Sequence, residues 1–328
     1  MISEDKTVYK IVIDAMGSDR GPEMIVAGAK LALERHPELA VCIVGDKDFL
    51  AGECEKQGIC GERVEILHAS DVITNYDSPA AAIFSKPDSS LVVALRALSE
   101  RDDLVGLINA GSTGALLAGA VRFLSTPERT RPALAAVLPA ADGSFTCLVD
   151  TGATIDCTAS QLLHFARLGS DFMKSLYKLD SPRIGLLSNG AESTKGNALV
   201  KEAHGLLAVA EDLNFVGNIE GTGALSGSCD VLVCDGFAGN QVLKVSEGIA
   251  KRIITDIVKY AKKTGREDYM QLVGHLMALY DFNSLGGGII LGTRKPVIKA
   301  HGAANEASIM NTAGMLLNLA KNKQVFEA

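Results

Sequence analysis

Short apolar runs alternate with longer segments of helical periodicity along almost the whole chain. Residues 10–15, 40–44, 63–67, 104–108, 133–138, 145–149, 183–187, 214–219 and 231–234 read as buried strands. Between them, residues 23–35, 88–99, 114–124, 159–177 and 195–213 carry apolar positions at helical spacing. Strands that hide both faces and are joined by crossover helices make a mostly parallel sheet covered by helices on both faces, so the predicted fold class is α/β. One link departs from this pattern. Only residues 139–144 separate the fifth and sixth runs, and Asp142-Gly143 within them is a hairpin signal, which predicts one antiparallel pair.

From 245 to 282 the pattern becomes two consecutive helices with no strand between them. Ile249, Ile253, Ile254, Ile257, Val258 and Ala261 share one face of the first, while Lys251, Arg252, Lys259, Lys262, Lys263 and the following Arg266 are basic. Tyr269, Leu272, Val273, Leu276, Met277 and Tyr280 give the second helix its apolar stripe. Such a basic amphipathic hairpin packs on a core or a dimer partner, or lies on an anionic membrane surface. No repeat or Pro/Ser-rich linker interrupts the chain. The pattern predicts a single α/β domain over 1–328 with the hairpin 245–282 inserted in it; a second lobe, if present, is interleaved.

Composition narrows the function classes. Against 32 Lys plus Arg stand 39 Asp plus Glu, and the net charge of −7 argues against a general nucleic-acid binder. An acidic partner would need a local basic patch. The seven cysteines form no CxxC pair and no zinc-ribbon spacing, which predicts reduced thiols and no metal site. Residues 1–10 lack the apolar core of a signal peptide, and no run of about 18 apolar residues occurs, so the chain reads as cytoplasmic.

The polar residues beyond several predicted strands share a character. They include Asp14 to Asp19 with Gly17, Asn109 to Gly114, Asp150 to Asp156, Ser188 to Asn197, and Asp235 to Asn240. Glycine there admits close approach of backbone N–H groups, and Ser, Thr and Asn add hydrogen bonds for oxyanions. In Gly111-Ser112-Thr113-Gly114 a hydroxyl pair opens a helix whose dipole favours an anion. Neither a phosphate-binding GxxxxGK[ST] loop nor a GxGxxG fingerprint after a strand is present, which disfavours nucleoside triphosphates and dinucleotides. Of six histidines, His36, His68, His164, His204 and His275 read as surface or packed residues. His301 follows a short apolar run, precedes Gly302 and neighbours Lys299, as a site residue would.

Six ordered motifs carry a family resemblance. They are Ile13-Asp14-Ala15-Met16-Gly17-x-Asp19-x-x-Pro22, Ala110-Gly111-x-Thr113-Gly114-Ala115, Asp156-Cys157, Lys195-Gly196-Asn197, Asp235-Gly236-Phe237-x-Gly239-Asn240 and Val297-Ile298-Lys299-Ala300-His301-Gly302. In order and spacing they resemble those of the bacterial phosphate acyltransferases (the PlsX family) over about residues 10 to 320. The resemblance implies transfer of a long-chain fatty acyl group from acyl carrier protein to inorganic phosphate, giving acyl phosphate for phospholipid synthesis. A membrane glycerol-3-phosphate acyltransferase would then use that product. It further implies a homodimer, no cofactor, a fold akin to isocitrate and isopropylmalate dehydrogenases, and peripheral association with the inner face of the cell membrane.

Arg20, Asn109, Ser112, the pair Thr158-Ala159 and the stretch from Ser284 differ from the family's usual residues; the last bears on acyl-chain preference. Residue types suggest roles within the motifs. Gly111, Ser112, Thr113, Gly114 and Lys195 would hold phosphate; Asn197 and Asn240 would donate to the thioester oxygen. His301 would orient phosphate or protonate the leaving thiol, and Asp235 would fix its turn. Asp14, Gly17, Asn109, Gly236, Gly239 and Lys299 would complete the substrate site. The alternatives are a phosphotransacetylase-like transferase acting on acyl-coenzyme A, a nicotinamide-dependent dehydrogenase on a related scaffold, and a catalytically silent scaffold that binds carrier protein or membrane.

Overall fold

The computed structural model describes residues 8–126, 131–280, 287–302 and 304–322. The first seven residues, the last two of the expected hairpin (281–282) and the start of the loop at Ser284 lie outside the described residues. Where the pattern predicted one domain, the chain forms two compact units. One comprises Met1–Pro132 and Leu285–Ala328, and the other, Ala133–Ser284, is interleaved in sequence within it. Both are α/β, and the same alternation of apolar runs and helices continues through the boundary, which no change of composition marks.

The first unit begins β1 (Tyr9–Asp14), α1 (Pro22–Arg35), β2 (Leu39–Gly45), α2 (Lys47–Gln57), β3 (Val64–His68), α3 (Pro79–Ser85), α4 (Ser90–Glu100), β4 (Leu104–Asn109) and α5 (Thr113–Leu124). The second contains β5 (Ala133–Pro139), β6 (Phe145–Val149), α6 (Ala159–Tyr177), β7 (Arg183–Ser188), α7 (Ala198–Ala208), β8 (Asn214–Glu220), β9 (Val231–Val233), α8 (Gly236–Thr264) and α9 (Asp268–Leu279). The chain then returns to the first unit as β10 (Gly288–Leu291), β11 (Val297–Lys299) and α10 (Glu306–Lys321).

In the first unit the strands run β3-β2-β1-β4-β11-β10, all parallel except β10, which pairs antiparallel with β11. The second unit has the order β5-β6-β9-β7-β8. Its expected antiparallel pair is β5 with β6, where Ala135 faces Val149 and Pro139 faces Phe145. The Asp142-Gly143 turn closes it, with Gly143 at φ 84° and the Ala140 N–H donating to the Ser144 carbonyl at 2.9 Å.

Local chemistry explains the helices that frame these sheets. Pro22 opens α1, and its apolar positions Ile25, Ala29, Ala32 and Leu33 are buried. A methyl group added at Gly28 would come within 2.5 Å of Ile309 Cβ, so glycine lets α1 approach α10. Thr158 and Gln161 form a capping box at the start of α6, each side chain bonding the other's main-chain N–H. Phe165 and Phe172 on that helix are fully buried, each worth roughly 2 kcal/mol of hydrophobic stabilisation.

Two boundaries differ from expectation. The helix expected over 195–213 is confined to α7, because Gly196 takes φ 100° and Asn197 caps the helix behind it. The helix expected to start at 245 begins at Gly236, so residues 236–240 are its first turn rather than a loop.

Candidate active site

In each unit the parallel strands deliver their carboxyl ends to one side, the usual place for a ligand in an α/β sheet. In the first unit β1, β4 and β11 are neighbours, with Asp14 opposite Asn109 and Asn109 opposite Lys299. Their loops lead into α1, α5 and α10, and the motifs at Asp14, Gly111 and His301 come together there.

Two buried side chains underlie this cluster. Asp14 is 2% exposed and Asn109 is 1% exposed. The Asn109 Nδ2 group donates to Asp14 Oδ2 at 2.7 Å, and its Oδ1 accepts the Gly111 N–H at 3.0 Å. Asp14 Oδ1 accepts the Met16 N–H at 3.1 Å. Burial pushes the Asp14 carboxyl up to about 6, although hydrogen bonding from its neighbours pulls the other way. The fully buried hydroxyl of Ser90, the first residue of α4, lies beside this carboxylate without completing a hydrogen bond of normal geometry. No sequence signal pointed to Ser90.

Above the pair, Gly17 adopts φ 82°, and a methyl group there would lie 3.4 Å from the Gly111 Cα. The β1–α1 and β4–α5 loops are therefore in backbone contact. Ser112 caps α5 by accepting the Ala115 N–H at 3.5 Å, which leaves the N–H groups of Thr113 and Gly114 as the outward donors of the first turn. Ser112 and Thr113 are half-buried and Gly114 is exposed.

The third loop is fastened to the first. The Asp19 N–H donates to the Gly302 carbonyl at 3.1 Å, and the Ala300 N–H donates to the Asn109 carbonyl at 2.9 Å. His301 between them is exposed, while Lys299 turns its ammonium to the Ala300 carbonyl. Asn305 caps α10 by accepting from the Ser308 N–H at 2.9 Å.

The second unit builds a comparable set of turns where β6, β9 and β7 lie side by side and parallel. Asp150, fully buried at the end of β6, accepts N–H groups from Leu134 (3.0 Å), Gly152 (3.1 Å), Ala153 (3.0 Å) and Thr154 (2.6 Å). Asp235 caps α8 through the Ala238 N–H at 2.8 Å.

Gly236 and Gly239 have a packing reason. A methyl group at Gly236 would come within 2.7 Å of the Thr154 carbonyl oxygen, and one at Gly239 within 1.9 Å of the Asp150 carbonyl oxygen. Both glycines are buried, so they seat α8 on the β6–α6 loop. Asn240 is half-buried one turn into the helix. Lys195 and Asn197 are exposed on the β7–α7 loop; Asn197 caps α7 with its oxygen on the Val200 N–H at 2.9 Å, so its amide nitrogen is the end left to donate.

The structure thus gathers Asp14, Gly17, Asn109, Gly111 to Gly114, Lys299 and His301 in one unit. Lys195, Asn197, Asp235, Gly236, Gly239 and Asn240 belong to the other. Among the described residues no group of three His, Cys, Asp or Glu side chains is placed to hold a metal ion. Hydrogen-bond donors, a helix N-terminus and an imidazole are what the first cluster offers to an anion and to developing negative charge.

Residues 9–325 match the family model described as "Fatty acid synthesis protein". The chain is 37% identical over 320 residues to the phosphate acyltransferase of Thermoanaerobacter pseudethanolicus, covering 95% of this chain and 94% of that one. It is 40% identical over 315 residues to that of Halothermothrix orenii, covering 92% of each. Among solved structures, a phosphotransacetylase from Streptococcus pyogenes superposes with a TM-score of 0.64 at 17% identity, covering 96% of this chain and 94% of that chain. At that identity the likeness is one of fold.

Proposed function

Because this chain belongs to the fatty acid synthesis protein family, whose relatives are phosphate acyltransferases, we propose that it is an acyltransferase that moves a long-chain fatty acyl group from acyl carrier protein to inorganic phosphate. The acyl phosphate formed would feed phospholipid synthesis through a glycerol-3-phosphate acyltransferase at the membrane. The observation that carries the site assignment is the convergence of the α5 N-terminus and the His301 loop at one end of the first unit's sheet.

Phosphate is already nucleophilic at neutral pH, so the protein's main tasks are to position it and to stabilise the oxyanion. Phosphate sits on the Thr113 and Gly114 N–H groups with the Ser112 and Thr113 hydroxyls beside it. The motifs of the other unit carry a cation in Lys195 and amide donors in Asn197 and Asn240, the residue types that suit a thioester oxygen. A phosphate oxygen attacks the thioester carbonyl, the tetrahedral intermediate collapses, and the carbon–sulfur bond breaks. The thiolate takes a proton, for which His301 is the candidate donor, and acyl phosphate and free carrier thiol remain.

Hydroxylamine trapping of acyl phosphate tests the reaction, using palmitoyl carrier protein and phosphate with palmitoyl-coenzyme A in parallel. The expected result is phosphate-dependent hydroxamate from the carrier substrate. Signal from coenzyme A alone makes the enzyme phosphotransacetylase-like, and carrier binding without turnover makes it a scaffold. The double variant Ser112→Ala/Thr113→Val should raise the apparent phosphate constant about tenfold, as expected for a lost anion hydrogen bond of about 1.4 kcal/mol. An unchanged constant removes phosphate from this loop.

The hairpin of α8 and α9 supports peripheral attachment to an anionic membrane. Val245, Ile249 and Ile253, one turn apart on α8, are 55, 55 and 52% exposed. Met270, Leu272, Met277 and Leu279 on α9 are exposed too, with Lys251, Arg252, Lys259, Lys262 and Lys263 on α8. Among the described residues no helix is long and apolar enough to cross a membrane. Wild type should pellet with anionic liposomes and Lys262/Lys263→Glu should remain in solution; equal pelleting counts against the lipid role. The family resemblance also supports a homodimer, which sedimentation velocity reads as twice the 34.4 kDa chain mass.

A further inference from the structure

The buried Asp14 and Asn109 pair stands beneath the loop to which phosphate is assigned, and the role inferred for the pair rests on that assignment. An ionised carboxylate only accepts hydrogen bonds, whereas a primary amide has a donor end and an acceptor end. With Asp14 Oδ2 facing Asn109 Nδ2 at 2.7 Å, the amide has one satisfying orientation, and its oxygen is turned to the Gly111 N–H. The main-chain carbonyl of the same asparagine takes the Ala300 N–H, one residue before His301. The other oxygen of Asp14 takes the Met16 N–H, next to the glycine that backs onto Gly111. Two loops, β1–α1 and β4–α5, hang on two side chains that are almost wholly withdrawn from solvent, while the third is joined to Asn109 through its main chain.

We propose that Asp14 and Asn109 are positioning residues of the acyl transfer: by fixing the Asn109 amide they hold residues Gly111 to Gly114 against the β1–α1 loop in the arrangement that binds phosphate. They do not touch the substrate, in contrast to the substrate-contacting role expected from their motifs. A buried acid beneath an anion site is unfavourable for both charges, so mere filling of space would be better served by an uncharged side chain.

Exchange of the two residues tests this directly. In Asp14→Asn two amides meet, and whichever way they turn, one hydrogen bond to Met16, to Gly111 or between the pair is lost. In Asn109→Asp two carboxylates meet. In the double variant Asp14→Asn/Asn109→Asp, the new amide accepts from Met16 and donates to the new carboxylate, whose second oxygen accepts from Gly111, so every bond can form again.

Each single variant should raise the KM for inorganic phosphate about tenfold or more while the KM for palmitoyl carrier protein stays put. The exchanged pair should return the phosphate KM to within about threefold of wild type. An exchanged pair no better than the poorer single variant overturns the proposal, as does a parallel rise of both KM values. The rise in melting temperature on adding inorganic phosphate gives a second readout that needs no turnover. If wild type makes no hydroxamate but this rise is lost in the single variants and regained on exchange, the acyl-transfer reading falls and the positioning role stands. If a single variant does not fold, the exchanged pair decides alone: folded with wild-type phosphate response supports the proposal, and folded without it overturns it. An exchanged pair that does not fold overturns it too, since every bond could have formed.

Discussion

Two buried carboxylates, one in each unit, end a strand and organise the loop beyond it, yet they do so in opposite ways. Asp150 accepts four main-chain N–H groups, three from its own turn and one from β5, and so closes its loop upon itself. Asp14 accepts one main-chain N–H and one amide, and the amide passes the constraint on to Gly111. Burial raises both carboxyls above the ordinary range. The contrast teaches that a motif aspartate at a strand end is either a rivet or a relay. A rivet's loss should appear mainly as lost stability, a relay's mainly as altered ligand affinity.

The largest expected effect lies on the rivet's side. Asp150→Ala leaves two buried and two part-buried N–H groups without their acceptor, the buried ones at about 1 to 3 kcal/mol each, so a loss on the order of 4 kcal/mol is expected in urea unfolding. Gly239→Ala, which would drive a methyl group into the Asp150 carbonyl, should cost about 3 kcal/mol or more in the same measurement. A fall below about 1 kcal/mol for either would erase the contrast.

A smaller effect is expected at the relay. Gly17→Ala has room for its methyl group but must hold φ near 82°, a strain of roughly 1 to 2 kcal/mol. Its signature should be a higher phosphate KM with a melting temperature only a few degrees lower. A wild-type phosphate KM would show that the β1–α1 loop does not shape the anion site.

The smallest effect is electrostatic, at the opposite ends of the first unit's strands. The Arg101 guanidinium, joined by the Lys10 ammonium, holds the Glu65 carboxyl down at about 2 from an ordinary 4.5 and pulls Asp103 below the usual range as well. Folded protein therefore binds fewer protons than unfolded between these values, so this stabilisation is present above about 4.5 and is lost as pH falls toward 2. These groups are between about a quarter and a half exposed, and solvent screening limits the effect to roughly 1 kcal/mol. Glu65→Gln should flatten that part of the acid limb in thermal melts while leaving the phosphate KM unchanged.

Much of this architecture was legible in the sequence because buried parallel strands leave unbroken apolar runs. The nine strands expected correspond to β1 through β9, and β11 is the short apolar run seen before His301. By contrast α2 buries only Leu50, Glu53 and Cys54, too narrow a stripe for periodicity to register, and β10 opens on glycines that read as loop. The beginning of α8 was missed because Gly236 and Gly239 look like turn residues until the close backbone beneath them is known. The strand-end position of each motif was legible, but not what its side chains bond. Residue type does not distinguish the buried amide of Asn109 from the helix-capping amide of Asn197, since only depth and partner set them apart.

The interleaving of the two units also sets an order of events in time. Residues Ala133–Ser284 are a continuous segment that can collapse as soon as it leaves the ribosome. The first unit cannot, because β11 must slot beside β4 and α10 must settle against Gly28 of α1, and both are translated after the second unit. Until then Asn109 lacks the Ala300 partner of its carbonyl, and the Gly302 carbonyl is not yet there to receive the Asp19 N–H. The joined arrangement of these loops is thus a late product of biosynthesis, absent from every nascent chain in which β11 and the loop after it have yet to be made, whatever the state of the segment already folded between the halves of the first unit.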